Sequence, residues 1–599
     1  MSRESSARRP ASPIDYRLAV LQDAFPEGFK EGTLSASALI EFVGDAEGPQ
    51  PDLSPGLRWP GRTESIQSLR RGAVSALEPV DGFLGSSSHV FITGDNYETM
   101  KLLQPAYGGG VKMAFVDPPY NNGNDEIYSD NFEAPSDQYA SHLAAIEEGK
   151  SSPALIATSG RGRHSRWMAM MLARLYVIRN LLSDDGVVFV MIDDHESYRL
   201  RFVMDEVFGP ENFVCTFVWE KRYSPAPDAP DVGYVHEYIF CYRKSSSFGA
   251  AYLPMTDEQT ARYQNPDNDS RGPWKSADYT CRFTAEDRKN LYYPIRHPGT
   301  GEDVWPKRSR VWACTKDEHE RHVADGRVWW GKDNENSVPA RKAFLSEIQG
   351  RMPATLLKHD EVGHTDQATT ELRRLFPDIN LTPKPVSLVR HLIRISGAEA
   401  GDVILAPFAR DGVTAEAVIR HNVEDSTELR FLLIGLPEPV DGGGAIRTLP
   451  EIALERTRRC LEEAADPDQS LRVFRQRRSV FFPDGSNPDG AGDTDDSTSY
   501  FDRGVNDETL AVNIALAGGF VIDGPIEAQQ LSDGGMAYVF SGELAVCVSR
   551  ALTPAVIESL SGLGAHRVAC LEAGFAGDDD LLVNTRLDFE QRGISFETV

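Results

Sequence analysis

The residues with the clearest chemistry are Asp117-Pro118-Pro119-Tyr120, which directly follow the apolar run VKMAFV. The Asp117 carboxylate and the Pro118 carbonyl are two acceptors that could hold both protons of an amino group and direct its lone pair at an incoming methyl group. The prolines fix the turn and leave its carbonyl free of ladder bonds. Tyr120 offers a face on which a base taken out of a nucleic-acid helix could stack. These residue types suit methylation of a base amino group, although Asp-Pro-Pro after a strand is also a common loop.

The elements that must position this turn alternate between strand and helix. The runs HVFIT and VVFVMI are of the apolar, β-branched kind that is buried in parallel sheets. Helical stretches such as YETMKLLQPAY and RWMAMMLARLYVIRNLLSD lie between them. This βαβα order predicts an α/β fold with a doubly wound parallel sheet and right-handed crossovers. The Asp117 turn then falls at the carboxyl edge of the sheet, where ligands of open α/β folds bind.

The alternation stops between about residues 246 and 360, where Asn, Asp, Pro, Gly and Trp dominate, and then resumes. One α/β domain interrupted by an inserted module is therefore expected. The predicted divisions are an N-terminal helical region (1–85), a catalytic half of the core (86–245), the module (246–360), a second half of the core (361–480), an acidic linker (481–499) and a C-terminal α/β domain (500–599).

Composition is that of an ordinary globular protein, with 41% hydrophobic and 25% charged residues. No run of eighteen apolar residues occurs and the N-terminus lacks the apolar core of a secretory signal, so we expect a cytoplasmic protein without a membrane span. The seven cysteines form no CxxC pair, which favours reduced thiols and argues against a structural metal site.

The net charge of −28 argues against nucleic-acid binding if taken as one number, but the charge is unevenly distributed. Residues 481–599 carry twenty acidic and five basic side chains, whereas residues 251–350 carry sixteen of each. The latter window also holds five of the eight tryptophans. A neutral, aromatic module in an acidic chain is compatible with a local DNA surface, and equally with an ordinary aromatic core. For the acidic C-terminal region we expect a role in assembly, with a plain solvated domain as the alternative.

The chain resembles the modification subunits of type III restriction–modification enzymes, which are amino-methyltransferases of the β order with the catalytic motif before the cofactor motif. The segments that carry the resemblance run from WPGRTESIQSL through FITGDNYETMKLL, VKMAFVDPPYNNGND, LLSDDGVVFVMIDDHE, HEYIFCYRKS, DGRVWWG and TPKPVSLVRHLI to the C-terminal LEAGFAGDDDLL. The resemblance implies a Rossmann-like methyltransferase that transfers methyl from S-adenosylmethionine to adenine N6 in double-stranded DNA by base flipping. It also implies a homodimer and a helicase–nuclease restriction subunit as partner, in phage defence.

The resemblance assigns site residues position by position. It places catalysis on Asp117, Pro118, Pro119 and Tyr120, and cofactor binding on Asp95, Thr382, Lys384, Pro385, Phe408, Ala409, Gly412 and Glu438. Alternatively, Asp95 is a turn residue, the TPKP segment merely starts a helix, and Glu438 is an exposed loop acid. In the module, candidate phosphate contacts are the basic residues Arg271, Lys275, Arg308 and Arg310. The recognised DNA sequence is not readable from the chain.

The cofactor loop DVILAPFARDGVT departs from the family pattern. Ala406 stands where the family has an acid, Arg410 stands at the first glycine and Val413 at the threonine. Arg at a position with positive φ would cost about 1–2 kcal/mol, and the lost acid would remove a partner for the cofactor's ammonium unless Asp411 supplies one. A catalytically silent DNA-recognition subunit is therefore a second hypothesis, and RNA methylation on a similar scaffold is a third.

Overall fold

The computed structural model describes residues 29–30, 33–34, 59–87, 89–122, 163–225, 231–379, 381–440, 446–464, 470–478 and 505–599. The chain divides into two units, residues 1–58 and residues 59–599. In the first unit the described elements are the antiparallel pair Phe29–Lys30 and Thr33–Leu34. The predicted linker 481–499 lies outside the described residues.

The apolar, β-branched runs of the second unit form one ten-stranded sheet. Its strands, in chain order, are β1 (Ser75–Asp81), β2 (His89–Thr93), β3 (Val111–Val116), β4 (Leu182–Ile192), β5 (Phe213–Glu220), β6 (His236–Arg243), β7 (Leu356–Leu357), β8 (Val403–Ala406), β9 (Arg430–Gly435) and β10 (Leu471–Arg478).

The spatial order of the strands is β7-β5-β6-β4-β3-β8-β9-β2-β10-β1. The six strands from β4 to β10 in this order are parallel, and β6 and β1 run antiparallel to their neighbours. Strand β3 lies beside β8 in the middle, so the chain order reverses there. The predicted doubly wound α/β sheet is confirmed, and such a reversal opens a crevice at the carboxyl ends of the strands.

Helices cover both faces of the sheet, because successive side chains of each buried strand point to opposite sides. One core contains Val90 and Ile92, and the other contains Phe91 between them. The first face packs against helices α1 (Arg62–Ser68), α2 (Asn96–Tyr107), α3 (Arg163–Leu181) and α4 (Ser197–Phe208). The second packs against α5 (Val386–Ser396), α6 (Val413–Asp425) and α7 (Leu449–Ala464).

The segment between β6 and β7 consists of short antiparallel ladders and turns rather than α/β units. Its largest ladder joins Trp274–Asp278, Ala340–Phe344 and Val328–Trp329, and its longest helix is Lys316–Ala324. Two two-stranded pairs join Thr280–Cys281 to Val311–Trp312 and Ile295–Arg296 to Asp303–Val304. A separate small core of Tyr279, Tyr293, Ile295, Trp312, Cys314 and Trp330 holds it together.

The second half of the parallel core is preceded by two helices, His359–Val362 and Thr365–Leu375. The C-terminal region is a five-stranded sheet of Ile526–Gln530, Met536–Phe540, Leu544–Cys547, Arg567–Cys570 and Ser595–Thr598. Helices Asp507–Ala517, Pro554–Ser561 and Asp579–Gln591 accompany this sheet. Some of its apolar residues join the same core as α2 and β1, so this region packs directly on the central sheet, and the others form a core of their own.

One expectation is wrong for part of its range. Residues 1–85 were expected to be helical, yet Ser75–Asp81 is the edge strand β1 of the large sheet. Local sequence did not reveal it because SALEPVD lacks a continuous apolar run, and its strand conformation depends on pairing with β10, nearly four hundred residues later. Within the described residues no helix is long and apolar enough to cross a membrane.

Candidate active site

The Asp117-Pro118-Pro119-Tyr120 turn lies directly after β3, at the carboxyl edge of the sheet and next to the point where the strand order reverses. The Trp167 indole of α3 donates a hydrogen bond to the Pro119 carbonyl oxygen at 2.7 Å. Among the described residues, no group donates to the Pro118 carbonyl oxygen. The turn therefore has one carbonyl fixed to the scaffold and its neighbour open as an acceptor.

The turn is fixed on its other side through Asn121, whose φ of 58° is in the left-handed region. Asn adopts that conformation more readily than most residues. The Asn121 amide donates to the carboxylate of Glu196, a fully buried residue that also contacts His164 and accepts from Arg199 at 3.0 Å. This polar cluster fixes the direction in which the chain leaves the Asp117–Tyr120 turn.

Tyr120 belongs to a network of charged groups from three distant parts of the chain. Its hydroxyl lies 3.1 Å from Asp117 Oδ1 and 3.0 Å from Glu237 Oε2, and Lys384 Nζ donates to it at 2.9 Å. Lys384 Nζ also lies 3.0 Å from Glu237 Oε2 and 3.6 Å from Asp117 Oδ1. Lys221 Nζ contacts the other Glu237 oxygen at 3.0 Å.

Burial and neighbouring charges shift the pKa values of this network. Burial raises the pKa of the Asp117 carboxyl, against the lowering effects of Lys384 and Arg410. Burial, then the charges of Asp117 and Glu237, raise the pKa of Tyr120 well above its ordinary value. Although burial opposes both shifts, the pKa of Glu237 is lowered by Lys384 and Lys221, and that of Lys384 is raised by the two carboxylates. Glu237 and Lys384 are therefore a charged pair, while Asp117 is the carboxyl most easily protonated.

Asp95 is the N-cap of α2, where its Oδ1 accepts from the Glu98 backbone N–H at 2.9 Å. Its other oxygen pairs with the buried Arg174 at 3.2 Å. The next residue, Asn96, donates to the Pro407 carbonyl at 2.8 Å and so ties this turn to the cofactor loop. The structure thus brings Asp95 next to the predicted cofactor site while giving it a structural role as well.

The cofactor loop follows β8 and leads into α6. Its left-handed residue is Gly412, with φ 76°, and a Cβ there would lie 2.8 Å from the Ala453 carbonyl oxygen. Arg410 does not have positive φ, so the strain expected from Arg at this position is absent. Its charge instead acts on Asp117, where it partly offsets the rise in pKa that burial causes. The Arg replacement therefore changes the charge of the site rather than its backbone.

The other loop positions are buried. Ala406, Phe408 and Ala409 are each less than a tenth exposed, and the Ala409 N–H donates to the Ile434 carbonyl at 2.9 Å, which holds the loop against β9. The Asp411 carboxylate accepts from the Val413 N–H at 2.9 Å and lies 3.5 Å from the buried Arg456. Asp411 is therefore engaged with its own loop and with α7.

The remaining predicted cofactor residues lie at the same edge of the sheet. Glu438, shortly after β9, is 8% exposed, which corrects the alternative of an exposed loop acid. Pro385 is the N-cap residue of α5, so the segment does start a helix, and Thr382 is exposed. The Lys384 ammonium lies 2.9 Å from the Tyr120 hydroxyl.

The four basic residues predicted to contact DNA divide into two pairs. Arg271 pairs with Asp269 at 2.8 Å and with Asp325 at 3.2 Å and lies over the Phe344 ring, and Arg310 donates to Thr280 at 2.7 Å. These two guanidiniums hold the module together. Lys275 and Arg308 are exposed.

Three functional-site residues were missed in the sequence: Glu237, Trp167 and Glu196. A carboxylate inside the otherwise apolar strand run HEYIFCYR was a usable signal for Glu237, because such a residue is buried only with a partner. Nothing local distinguishes Trp167 or Glu196 from ordinary helix and loop residues. Within the described residues no group of three His, Cys, Asp or Glu side chains could hold a metal ion.

Comparisons with known proteins agree with this geometry. Residues 111–434 match the DNA methylase family. The chain is 26% identical over 596 residues to the EcoP15I Mod subunit of Escherichia coli, a type III restriction–modification enzyme, covering 91% of this chain and 90% of that protein. It is 30% identical over 474 residues to the EcoPI Mod subunit of Escherichia phage P1, covering 74% and 73%. It is 30% identical over 383 residues to the StyLTI Mod subunit of Salmonella typhimurium, and this match covers 62% of this chain and 57% of that protein.

Two solved structures give weaker likenesses. The PvuII cytosine-N4-specific DNA methyltransferase is 12% identical, covers 65% of this chain and 98% of its own, and has a TM-score of 0.31. The M1.HpyAVI–SAM complex is 12% identical, covers 61% and 99%, and has a TM-score of 0.26. By its sequence matches, this chain belongs to the DNA methylase family and, within it, to the modification subunits of type III restriction–modification enzymes.

Proposed function

We propose that the chain transfers a methyl group from S-adenosylmethionine to the N6 amino group of adenine in DNA, and that Asp117 to Tyr120 do the chemistry. The observation that carries the proposal is the catalytic turn at the carboxyl end of β3. There the half-buried Asp117 carboxylate and the Pro118 carbonyl, which is unpaired within the described residues, are adjacent acceptors. Two acceptors are what an amino group with two protons requires.

The chemistry follows from the acceptor pair. The lone pair of the adenine amino group is delocalised into the ring, so the amine is a poor nucleophile. Hydrogen bonds from its two protons to Asp117 and Pro118 would fix its orientation, with reacting atoms at about 3–3.5 Å. The product carries a methyl group in place of one amino proton, and Asp117 is placed to accept that proton. Tyr120 would hold the extruded base by stacking.

The residues around the loop after β8 fit S-adenosylmethionine, which supplies an electrophilic methyl group on sulfur. Glu438 is a buried carboxylate suited to ribose hydroxyls, and the N-terminus of α6 is suited to the methionine carboxylate. The cofactor's ammonium is the least well matched part, because Ala406 is apolar and Asp411 is already bound to Arg456. Cofactor affinity is therefore where the altered loop should have its effect.

DNA recognition we assign to the module between β6 and β7. Its surface carries the exposed aromatic side chains Phe283 and Trp305 together with the exposed cations Lys275 and Arg308. The Ala285 N–H donates to the Arg308 carbonyl at 3.0 Å, which joins two of the loops that carry them. Exposed cations and aromatic faces are the groups that contact phosphates and bases.

As a modification subunit, the chain would act in the cytoplasm as a homodimer and associate with a helicase–nuclease restriction subunit. The acidic C-terminal region is a poor DNA surface, because phosphate contacts need Lys and Arg. We propose that it serves in assembly.

The test is methyl transfer from labelled S-adenosylmethionine to unmodified DNA, followed by identification of the methylated base. Wild-type protein should produce N6-methyladenine, and Asp117→Ala should abolish transfer without unfolding the protein. Tyr120→Ala should weaken capture of the flipped base by roughly 1–3 kcal/mol, the usual contribution of base stacking. Transfer by Asp117→Ala at more than about a tenth of the wild-type rate would contradict the assigned role. DNA binding without cofactor binding in the wild type would instead identify a recognition-only subunit.

A further inference from the structure

Glu237 reaches the catalytic turn because β6 runs antiparallel to β4. The register pairs Ile192, at the end of β4, with Tyr238 near the start of β6. The first residues of β6 therefore lie at the edge where the parallel strands end. Glu237 is 6% exposed there, between Tyr120 and two lysines.

The two carboxylate oxygens of Glu237 have different hydrogen-bond partners. Oε1 contacts Lys221 at 3.0 Å, which suffices for an ordinary buried ion pair. Oε2 is shared between the Tyr120 hydroxyl and the Lys384 ammonium, each at 3.0 Å. A structural pair would not need this second set of contacts, both of which lead to the catalytic turn.

The position of Lys384 shows what the second set of contacts does. Its ammonium is 3.0 Å from Glu237 but 3.6 Å from Asp117 Oδ1, which is beyond hydrogen-bond distance. Without the charge of Glu237, the nearest carboxylate for Lys384 would be Asp117. A charge-assisted bond there would compete with an adenine amino proton for the Asp117 carboxylate.

We infer that Glu237 is a positioning residue, which fixes the Tyr120 ring and holds the Lys384 ammonium off Asp117 so that the catalytic carboxylate stays open to the amino group. It touches neither base nor cofactor in this role and acts through Tyr120 and Lys384. The inference rests on the proposed function, because it assumes that Asp117 accepts an amino proton.

The experiment compares Glu237→Gln with Glu220→Gln at saturating substrates. Glu220 ends the neighbouring strand β5 and pairs with His359 at 2.7 Å, away from the catalytic turn. Glu237→Gln should lower kcat about tenfold or more, since small displacements of reacting groups can cost about a hundredfold. KM for DNA and cofactor should change less than about threefold, and Glu220→Gln should behave as wild type.

Two further readouts separate positioning from mere stability. Three charged groups act on Asp117, namely Lys384, Arg410 and Glu237, and the Tyr120 hydroxyl acts on it through a hydrogen bond. Removing the negative charge of Glu237 stabilises the ionised form of Asp117, so the acid limb of the kcat profile should move to lower pH. Adding Lys384→Met to Glu237→Gln should recover part of the lost kcat, because the competing ammonium is gone.

Wild-type kcat in Glu237→Gln, or a lowered kcat with neither a displaced acid limb nor recovery by Lys384→Met, would overturn the inference. If Glu237→Gln does not fold, Glu237→Asp takes its place, and the shorter carboxylate should lower kcat while leaving the acid limb close to that of wild type. In that case, a displaced acid limb in the kcat profile of Glu237→Asp would contradict the inference. Failure of the proposed function is recognised separately, because the wild-type protein itself would then not methylate adenine.

Discussion

At the scale of single residues, the Asp117–Tyr120 turn has more hydrogen-bond acceptors than protons to share among them. The Tyr120 hydroxyl has one proton and lies within hydrogen-bond distance of two carboxylates, Asp117 and Glu237. Lysines hold Glu237 in its ionised form, whereas burial raises the pKa of Asp117. Under the proposed function, Asp117 is therefore the group whose protonation state decides whether the turn can accept an amino proton.

This predicts the direction of the pH dependence. Asp117 accepts only when ionised, so methyl transfer should be present above its pKa and lost as the pH falls through it. Because burial raises that pKa, the acid limb of kcat should lie above the value of about 4 that is typical of aspartate. A kcat profile across the acid range, with fluorescence as a check on folding, measures it. A limb at or below the ordinary aspartate value would show that another group titrates.

At the scale of elements, the loop between β8 and α6 combines an ordinary backbone with an unusual charge. Gly412 supplies the left-handed turn, while Arg410 adds a positive charge beside Asp117 and Lys384. The loop therefore has glycine at its left-handed residue, an arginine charge near Asp117, and alanine at position 406.

Restoring the family residues tests the loop. Ala406→Asp together with Arg410→Gly should tighten S-adenosylmethionine binding about tenfold or more, because a charge-assisted hydrogen bond contributes roughly 1.5–3 kcal/mol. Calorimetry on the double variant and on each single variant separates the new acid from the removed arginine, with DNA affinity as the control for folding. Equal cofactor affinity in wild type and double variant would show that the missing acid does not matter.

A second prediction at this scale concerns the inserted module. It compares the exposed cations Lys275 and Arg308 with the internal cations Arg271 and Arg310. Lys275→Ala and Arg308→Ala should each flatten the salt dependence of DNA affinity by about 0.9 units per lost phosphate contact. Arg271→Ala and Arg310→Ala should instead lower the melting temperature, since they remove internal bonds to Asp269 and Thr280. Salt titrations and thermal unfolding of all four variants distinguish the sets. An unchanged slope in both exposed variants would move the DNA surface elsewhere.

At the scale of the whole molecule, the C-terminal region is bound to the central sheet by buried polar groups. Arg472 of β10 is fully buried, and burial lowers its pKa to about 10. It donates to carbonyl oxygens on both sides of the contact, those of Gly82, Gly85, Ile522 and Gly524. Tyr107 and Arg430 add bonds to Asp523 at 2.8 and 2.7 Å.

Arg472→Met should therefore loosen the C-terminal region. Each carbonyl left unpaired in a buried site costs roughly 1–3 kcal/mol, so the free energy of unfolding should fall by about 3 kcal/mol or more. Arg475→Met is the matched control, because Arg475 is exposed on the same strand. Denaturant unfolding and limited proteolysis of the C-terminal region measure the difference. Equal stability of the two variants would show that Arg472 does not hold the contact.

The sequence by itself determined the class of fold, the place of the Asp117–Tyr120 turn and the family. The buried strands are recognisable as apolar runs, because both faces of a parallel sheet are covered by helices and both sets of side chains are therefore buried. The Asp117 turn follows such a run, so its place at the carboxyl edge needed no tertiary information. The edge strand Ser75–Asp81 has no such run and depends on a distant partner, which is why it was expected to be helical.

Tertiary structure alone decided which side chains meet. Lys384 and Glu237 lie 264 and 117 positions from Tyr120, and only the antiparallel register of β6 and the packing of α5 bring them to its hydroxyl. The same holds for the basic residues of the module, since Arg271 and Lys275 look alike in sequence, but Arg271 is paired with Asp269 and Asp325 whereas Lys275 is exposed. The sequence shows which residues are charged, but contacts between residues far apart in the chain determine which groups they pair with.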